Sequence, residues 1–225
     1  MSQTFDAIIF DCDGVLTDTE GVAEEVALRM LAAEGLHYTQ QDSQRFVGLA
    51  ARAWYDLVER DAIERLGRSL PDGTMERVSA AISNAILSDV RAIPGAVEAV
   101  RAITLPKGVA SSSPTFELHG KMRALGLWEV LRPHIHGGDD VAHAKPAPDL
   151  YLRAAAHLGV RPERCLVIED SVPGVTAGAA AGMTVWGFTG GPHLPPGTEA
   201  RLAKAGAKHI FDSMAGLPGL LLQRG

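Results

Sequence analysis

The chain has 225 residues, of which 46% are hydrophobic and 21% are charged, and its formal net charge is -6. This composition is typical of a folded protein and excludes a disordered chain, a collagen-like chain and a coiled coil. The acidic balance argues against a nucleic-acid partner, which normally requires a basic face, and no apolar run approaches the roughly 18 residues that a membrane span needs.

The first predicted element is a buried strand. The short apolar run at residues 6–10 stops at the acidic segment Asp11-Cys12-Asp13-Gly14, which is typical of a strand that ends in a polar loop. From Glu20 to about Ser88, apolar residues recur at helical spacing with no convincing strand between them. This stretch therefore predicts a block of successive helices.

Beyond the helical block, predicted strands alternate with predicted helices. This alternation implies a parallel sheet covered on both faces. The fold class that we expect is therefore α/β, with a Rossmann-like parallel sheet in a core domain of residues 1–15 and 91–225, and an inserted, all-helical cap domain of residues 16–90. The later predicted strands are 107–111, 135–136, 165–168 and 184–188, and the predicted helices between them are 97–103, 116–125, 150–158 and 175–181.

Polar side chains follow several of these strands. Asp11 and Asp13 come after the first strand, Ser111 after the second and Glu169-Asp170 after the fourth. Ligands of open parallel sheets bind at the carboxyl ends of the strands, so we expect these side chains at one edge of the sheet. Lys145, in a Lys-Pro-Ala-Pro loop, can add a positive charge there.

These residue types suit phosphate chemistry. Several carboxylates cannot share a small site without a counter-charge, and Mg2+ takes oxygen ligands and often bridges to a substrate phosphate. Serine hydroxyls and amides at the start of a helix offer an anion site. Each segment alone could instead be a turn, a helix cap or an exposed lysine. Their ordered placement at strand ends favours phosphoryl transfer.

Four segments, in order, resemble the motifs of the haloacid dehalogenase-like hydrolase superfamily. The resemblance covers essentially the whole chain and is to the subgroup with a helical cap after the first motif, which includes β-phosphoglucomutase and sugar-phosphate phosphatases. It implies a Mg2+-dependent phosphatase of a small phosphorylated metabolite. The four segments are Asp11 to Asp18, Val109 to Ser113, Lys145 to Asp149 and Val167 to Gly174.

The resemblance implies a role for each matching residue. Asp11 would be the nucleophile that forms an aspartyl-phosphate, and Asp13 would protonate the leaving oxygen and then activate water. Ser111 and the Ser112 amide would bind the phosphoryl oxygens, while Lys145 would balance their charge. The implied Mg2+ ligands are the Asp11 carboxylate, the Asp13 main-chain carbonyl, Asp170 and, directly or through water, Glu169.

Two cap residues are candidates for substrate binding. The segment Arg45 to Gly48, followed by Arg52, resembles the cap loop that faces the active site in this subgroup. Arg52 could contact a substrate carboxylate or hydroxyl, and a solvated surface arginine is the alternative. Glu20 could contact substrate near the hinge, although a capping box with Thr17 is the preferred interpretation.

Other functions stay open at this point. β-Phosphoglucomutase-like proteins also show the Gly14-Val15 pair, but they place a histidine in the segment that matches Glu20 to Ala23, which has none here. A catalytically silent phosphate-binding protein is expected to have lost Asp11 or Asp13, and both are present. Asp13 also argues against a dehalogenase, because dehalogenases lack this second aspartate.

The cysteines and the N-terminal segment indicate the cellular compartment in which we expect the protein to work. The two cysteines, Cys12 and Cys165, lie far apart and do not suggest a disulfide framework. The first ten or so residues lack the basic segment and apolar core of a signal peptide. We therefore expect a cytoplasmic protein with no membrane partner that works as a monomer, with a dimer as the alternative.

Overall fold

The chain folds into two compact units in a computed structural model. The larger unit comprises the chain up to Asp18 together with the part from Val90 onward, and the smaller unit runs from Thr19 to Asp89. The smaller unit therefore interrupts the larger one in sequence. The residues that the structure describes are 4–39, 42, 45–46, 51–192 and 194–224, without the side chains of Glu20, Ala51, Arg52 and Arg224.

The smaller unit is built from helices, as the spacing of its apolar residues predicts. Its described helices are α1 (Glu20–Ala33), α2 (Ala51–Leu66) and α3 (Thr74–Ser88). Leu31, Val58 and Val78, one from each helix, are buried in a shared cluster. Among the described residues of both units, no helix combines the length and apolar character that crossing a bilayer requires.

The larger unit is built on a six-stranded sheet in which all neighbouring strands are parallel. Its strands are β1 (Ala7–Phe10), β2 (Lys107–Ala110), β3 (Ile135–His136), β4 (Cys165–Glu169), β5 (Thr184–Phe188) and β6 (His209–Phe211). Their order across the sheet is β3-β2-β1-β4-β5-β6. The predicted α/β fold with a Rossmann-like parallel sheet is therefore confirmed.

Helices cover both faces of this sheet. They are α4 (Ala96–Ala102), α5 (Thr115–Ala124), α6 (Trp128–Leu131), α7 (Asp149–Leu158), α8 (Val172–Ala180), α9 (Thr198–Ala205) and α10 (Leu217–Arg224). Ile8 and Phe10 of β1 enter one buried cluster, with residues of α4, α5, α6 and α10. Ala7 and Ile9 enter the other, with residues of α7, α8 and α9. Alternate residues of a strand face opposite ways, so a continuous apolar strand serves both clusters.

The sheet order places a crevice between β1 and β4. Strands β2 and β3 lie on one side of this pair and β5 and β6 on the other, so the order reverses there. In open α/β sheets, ligands bind outside the carboxyl ends of the strands at such a reversal. Asp11 follows β1 directly, and its amide still donates to the Ile168 carbonyl of β4 at 2.9 Å. The first acidic motif and the end of β4 are therefore neighbours.

Candidate active site

Three buried carboxylates meet at the carboxyl ends of β1 and β4. One oxygen from each of Asp11, Glu169 and Asp170 lies within 4.8 Å of the others. Asp11 and Asp170 are each 7% exposed and Glu169 is 0% exposed. Like charges that are buried this close together repel one another, so the cluster needs positive charge beside it.

Lys145 supplies part of that charge. Its Nζ donates to Asp11 Oδ1 and Glu169 Oε1, both at 2.7 Å, and to the Ala110 carbonyl at 3.0 Å. Burial alone would lower the pKa of Lys145, but the charges of Asp11 and Glu169 raise it well above its usual value. The amine therefore stays charged between the two carboxylates.

The carboxyl groups respond differently to this environment. Burial, reinforced by the charges of Glu169 and Asp13 and opposed by Lys145, raises the pKa of Asp11 to about 7. Burial also acts to raise the pKa of Glu169, but the charge of Lys145 and the hydrogen bonds that the carboxylate accepts bring it below its usual value. A divalent cation bound among these groups would favour their ionised forms.

Glu169 is fixed by four donors. Its Oε1 accepts from Lys145 Nζ and from the Tyr151 hydroxyl, both at 2.7 Å. Its Oε2 accepts from the Ser171 amide at 3.0 Å and the Ser171 hydroxyl at 2.9 Å. A Cβ on Gly174 would lie 1.7 Å from Glu169 Oε1. The glycine in the fourth motif thus leaves room for this carboxylate at the start of α8.

A second glycine, Gly14, leaves room for the Asp170 carboxylate. Gly14 has a φ of +81°, a conformation that side chains with a Cβ rarely adopt, and a Cβ there would lie 1.8 Å from Asp170 Oδ2. The loop after β1 can therefore turn directly against the Asp170 carboxylate. This turn brings the first and fourth motifs together.

Asp13 lies among donors from three segments of the larger unit. Its Oδ1 accepts from Lys121 Nζ at 2.7 Å and from the Thr17 hydroxyl at 3.2 Å. Its Oδ2 accepts from the Ser113 hydroxyl at 2.8 Å and the Ser111 hydroxyl at 3.4 Å. The Asp13 carboxylate is thus bound to the loop after β1, the loop after β2 and helix α5.

The chain matches the haloacid dehalogenase-like hydrolase family over residues 5–182. It belongs to this family. The match spans all four motifs that surround the crevice, and it confirms the resemblance and the prediction of a hydrolase.

Several known proteins are similar to this chain over most of their length. The 6-phosphogluconate phosphatase of Escherichia coli is 29% identical over 222 residues, which cover 98% of this chain and 96% of the relative. The phosphorylated carbohydrates phosphatase of Thermotoga maritima is 29% identical over 183 residues, covering 79% and 82%. A family hydrolase from Deinococcus radiodurans, solved with bound phosphate and sodium, is 37% identical with a TM-score of 0.82, covering 99% and 97%. Family and relatives together support a phosphatase.

The structure places the serine cluster of this family member beside Asp13, and its predicted contacts with phosphate stay a prediction. Ser111 is 1% exposed, its hydroxyl points to Asp13, and it accepts from the Ser113 amide at 3.0 Å. Ser112 is exposed beside it. The capping box between Thr17 and Glu20 is wrong, because Thr19 is the N-cap of α1 and the Thr17 hydroxyl donates to Asp13 instead.

The structure describes only part of the cap segments that the sequence indicates as substrate contacts. The side chains of Glu20 and Arg52 lie outside the described part of the structure, as does the segment 47–50. Arg45, from the predicted substrate-facing loop, forms a two-point ion pair inside the smaller unit. Its Nη1 and Nη2 donate to the two Asp61 carboxylate oxygens at 3.0 and 2.9 Å, and Asp61 is 2% exposed. Such pairs fix geometry, so this pair holds Arg45 against α2.

Sequence reasoning missed Lys121. Lysine in a helix is usually exposed, yet Lys121 is 1% exposed. The available signal was its spacing: Leu118, Lys121, Met122 and Leu125 lie three, one and three residues apart, which is one face of a helix. A buried lysine needs paired negative charge, and the carboxylates of Asp13 and Glu117 supply it.

Proposed function

We propose that this hydrolase is a Mg2+-dependent phosphatase of a small phosphorylated metabolite, with a sugar, polyol or sugar-acid phosphate as its substrate. The observation that carries the proposal is the buried cluster of Asp11, Glu169 and Asp170 around Lys145. The substrate class is supported by the relatives named for 6-phosphogluconate and for phosphorylated carbohydrates. Residues 16–90 would form the cap domain and the remainder the core.

The donor set fits a hard cation. All three side chains offer oxygen, which Mg2+ prefers. Asp11, Asp170 and the Asp13 carbonyl would hold the ion directly. Glu169 already accepts four hydrogen bonds, about as many as a carboxylate can take, so we assign it a contact through water. When bound, Mg2+ would neutralise negative charge on the carboxylates and the transferring phosphoryl group.

The first chemical step would use Asp11 as nucleophile. A carboxylate oxygen of Asp11 attacks the substrate phosphorus, and the bond from phosphorus to the ester oxygen breaks. Asp13 donates a proton to the departing oxygen, so the product leaves as an alcohol. Lys145 favours the ionised form of Asp11, which attack requires.

The second step would regenerate the enzyme. Asp13, now a carboxylate, takes a proton from water, and the water oxygen attacks the phosphorus of the aspartyl-phosphate. The Asp11 carboxylate and inorganic phosphate are released, and Asp13 again carries the proton. The Ser111 hydroxyl, the Ser112 amide and Lys145 would hold the phosphoryl oxygens through both steps.

The phosphomutase alternative is not favoured, because the segment 20–23 lacks histidine and the curated relatives named above are phosphatases. Glu20 and Arg52 stay predictions as substrate contacts.

Phosphate release tests the proposed function. Purified protein would be assayed against sugar, polyol and sugar-acid phosphates, with Mg2+ and with a chelator in its place. We expect Mg2+-dependent release that is concentrated on one subset of the substrates. Release that is equally fast in chelator, or no release from any substrate, would contradict the proposal.

A further inference from the structure

Helix α5 carries a buried lysine that the mechanism above does not use. Lys121 is 1% exposed and Glu117, one turn earlier, is 5% exposed. Burying an ammonium group is costly unless it is paired. The groups that pair with Lys121 therefore indicate which part of the site the buried charge acts on.

Lys121 links the carboxylate of Glu117, on the same helix, to the carboxylate of Asp13 in the candidate active site. Its Nζ lies 2.6 Å from Glu117 Oε1 and 2.7 Å from Asp13 Oδ1, and it donates to the Ser113 hydroxyl at 3.1 Å. Two carboxylate oxygens within 2.7 Å of the buried Nζ favour the charged ammonium form. The lysine is therefore a charged, three-point link from α5 to the Asp13 side chain.

The two oxygens of Asp13 differ as a result. Lys121 Nζ lies 2.7 Å from Oδ1, and an ammonium group only donates hydrogen bonds, so a proton on Oδ1 would face its positive charge at close range. Oδ2 faces the hydroxyls of Ser111 and Ser113, which can both donate and accept. When Asp13 is protonated, its proton is thus placed on Oδ2, the oxygen beside the predicted phosphate-binding serine.

We propose that Lys121, held by Glu117, is the positioning residue for the Asp13 carboxylate, and that it directs the transferable proton to Asp13 Oδ2. This inference rests on the proposed function, in which Asp13 is the acid and base. Lys121 acts through Asp13 and is too deeply buried to touch substrate.

The proposal predicts a dependence on the leaving group. An alkyl phosphate, such as a sugar phosphate, needs a proton on its departing oxygen, whereas p-nitrophenyl phosphate releases a stable anion. Because kcat/KM reports steps up to formation of the aspartyl-phosphate, loss of Asp13 positioning should affect kcat/KM for the alkyl substrate alone. The later water step also uses Asp13, so kcat for p-nitrophenyl phosphate should fall together with its KM.

Lys121→Met is the direct test, because methionine fills similar space without the charge. We expect kcat/KM for the best alkyl phosphate to fall about 100-fold, as for the loss of a general acid. For p-nitrophenyl phosphate we expect kcat/KM to stay within about threefold, with kcat and KM reduced in parallel. The double variant Glu117→Gln/Lys121→Met removes both charges of the buried ion pair on α5, so Glu117 is not left as an unpaired buried charge. If Lys121→Met alone does not fold, the double variant supplies the test.

Lys107→Met is a matched control. Lys107 begins β2 at the end of the strand away from the site, and its Nζ donates to the Val100 and Ile103 carbonyls. We expect both substrates to respond equally in this variant. Equal losses for both substrates in the folded Lys121 variants, or an unchanged kcat/KM for the alkyl phosphate, would overturn the inference. Absence of phosphate release by the wild type would instead refute the proposed function.

Discussion

Asp11→Asn is expected to abolish phosphate release, with kcat reduced by at least about 10³-fold. Asparagine has nearly the same shape, but its amide is a poor nucleophile and carries no charge. The substitution should leave the fold intact, because Lys145 keeps its bonds to Glu169 and to the Ala110 carbonyl. The measurement is initial-rate phosphate release on the best substrate, with thermal unfolding to show that the variant is folded.

Asp6→Asn is the matched control for this substitution. Asp6 precedes β1 at the end of the strand away from the site and pairs with Arg164 on the surface at 2.7 Å. Its loss should change activity little, because its described ion pair with Arg164 lies at the opposite end of β1 from the crevice. Wild-type turnover by folded Asp11→Asn protein would refute the assignment of the nucleophile.

Lys145→Met is expected to lower both activity and stability. The phosphoryl group would lose a positive contact, for which we expect a drop in kcat of about 10²–10³-fold. Asp11 and Glu169 would also lose their shared buried counter-charge. Removing one partner of a buried ion pair typically costs about 3–5 kcal/mol in the free energy of unfolding.

The stability that Lys145→Met loses should depend on pH, and the direction of that dependence can be derived. Without Lys145, burial would raise the pKa values of Asp11 and Glu169 above those of the unfolded chain, which lie near about 4. The folded variant would then bind more protons than the unfolded chain, so its stability would fall as pH rises through the raised values. The difference in free energy of unfolding from the wild type should be larger at about pH 8 than at about pH 5.

Urea unfolding of both proteins in buffer with a chelator measures that difference. The chelator removes divalent ions, so that only Lys145 is changed between the two proteins. A difference that stays constant with pH, or grows towards acid, would contradict the buried charge pairing described here.

The cluster of buried carboxylates could be predicted from the sequence because it depends on topology. Alternating strands and helices imply a parallel sheet, and a parallel sheet brings all carboxyl strand ends to one edge. The positions of Asp11, Glu169 and Asp170 follow from their place at the carboxyl ends of strands. The close approach of Gly14 to Asp170 is a consequence of the same geometry.

The surroundings of Asp13 could not be predicted in this way. Lys121 lies in the middle of a helix, where no strand end fixes its position, and its burial depends on how α5 packs against the sheet. Tyr151 is similar: its hydroxyl contact with Glu169 depends on the packing of α7. Contacts of this kind are set by tertiary structure, to which residue spacing is only a weak guide.

The C-terminal part of the sheet was also missed. The sequence patterns predict no element after residue 188, whereas the structure contains α9, β6 and α10 there. Strand β6 has only three residues, two of them partly exposed at the sheet edge. Such an edge strand lacks the continuous apolar run that makes buried strands such as β4 recognisable.

The mass of the protein during turnover tests most directly whether Asp11 is the nucleophile. Wild-type protein mixed with its best substrate and Mg2+ would be quenched in acid within the first turnovers, digested and measured by mass spectrometry. We predict that the peptide containing Asp11 gains the mass of one phosphoryl group, and that this gain is absent in Asp11→Asn. A phosphoryl group found on another residue, or none on a protein that is turning over and quenched before its steady state, would contradict the central claim that Asp11 is the nucleophile.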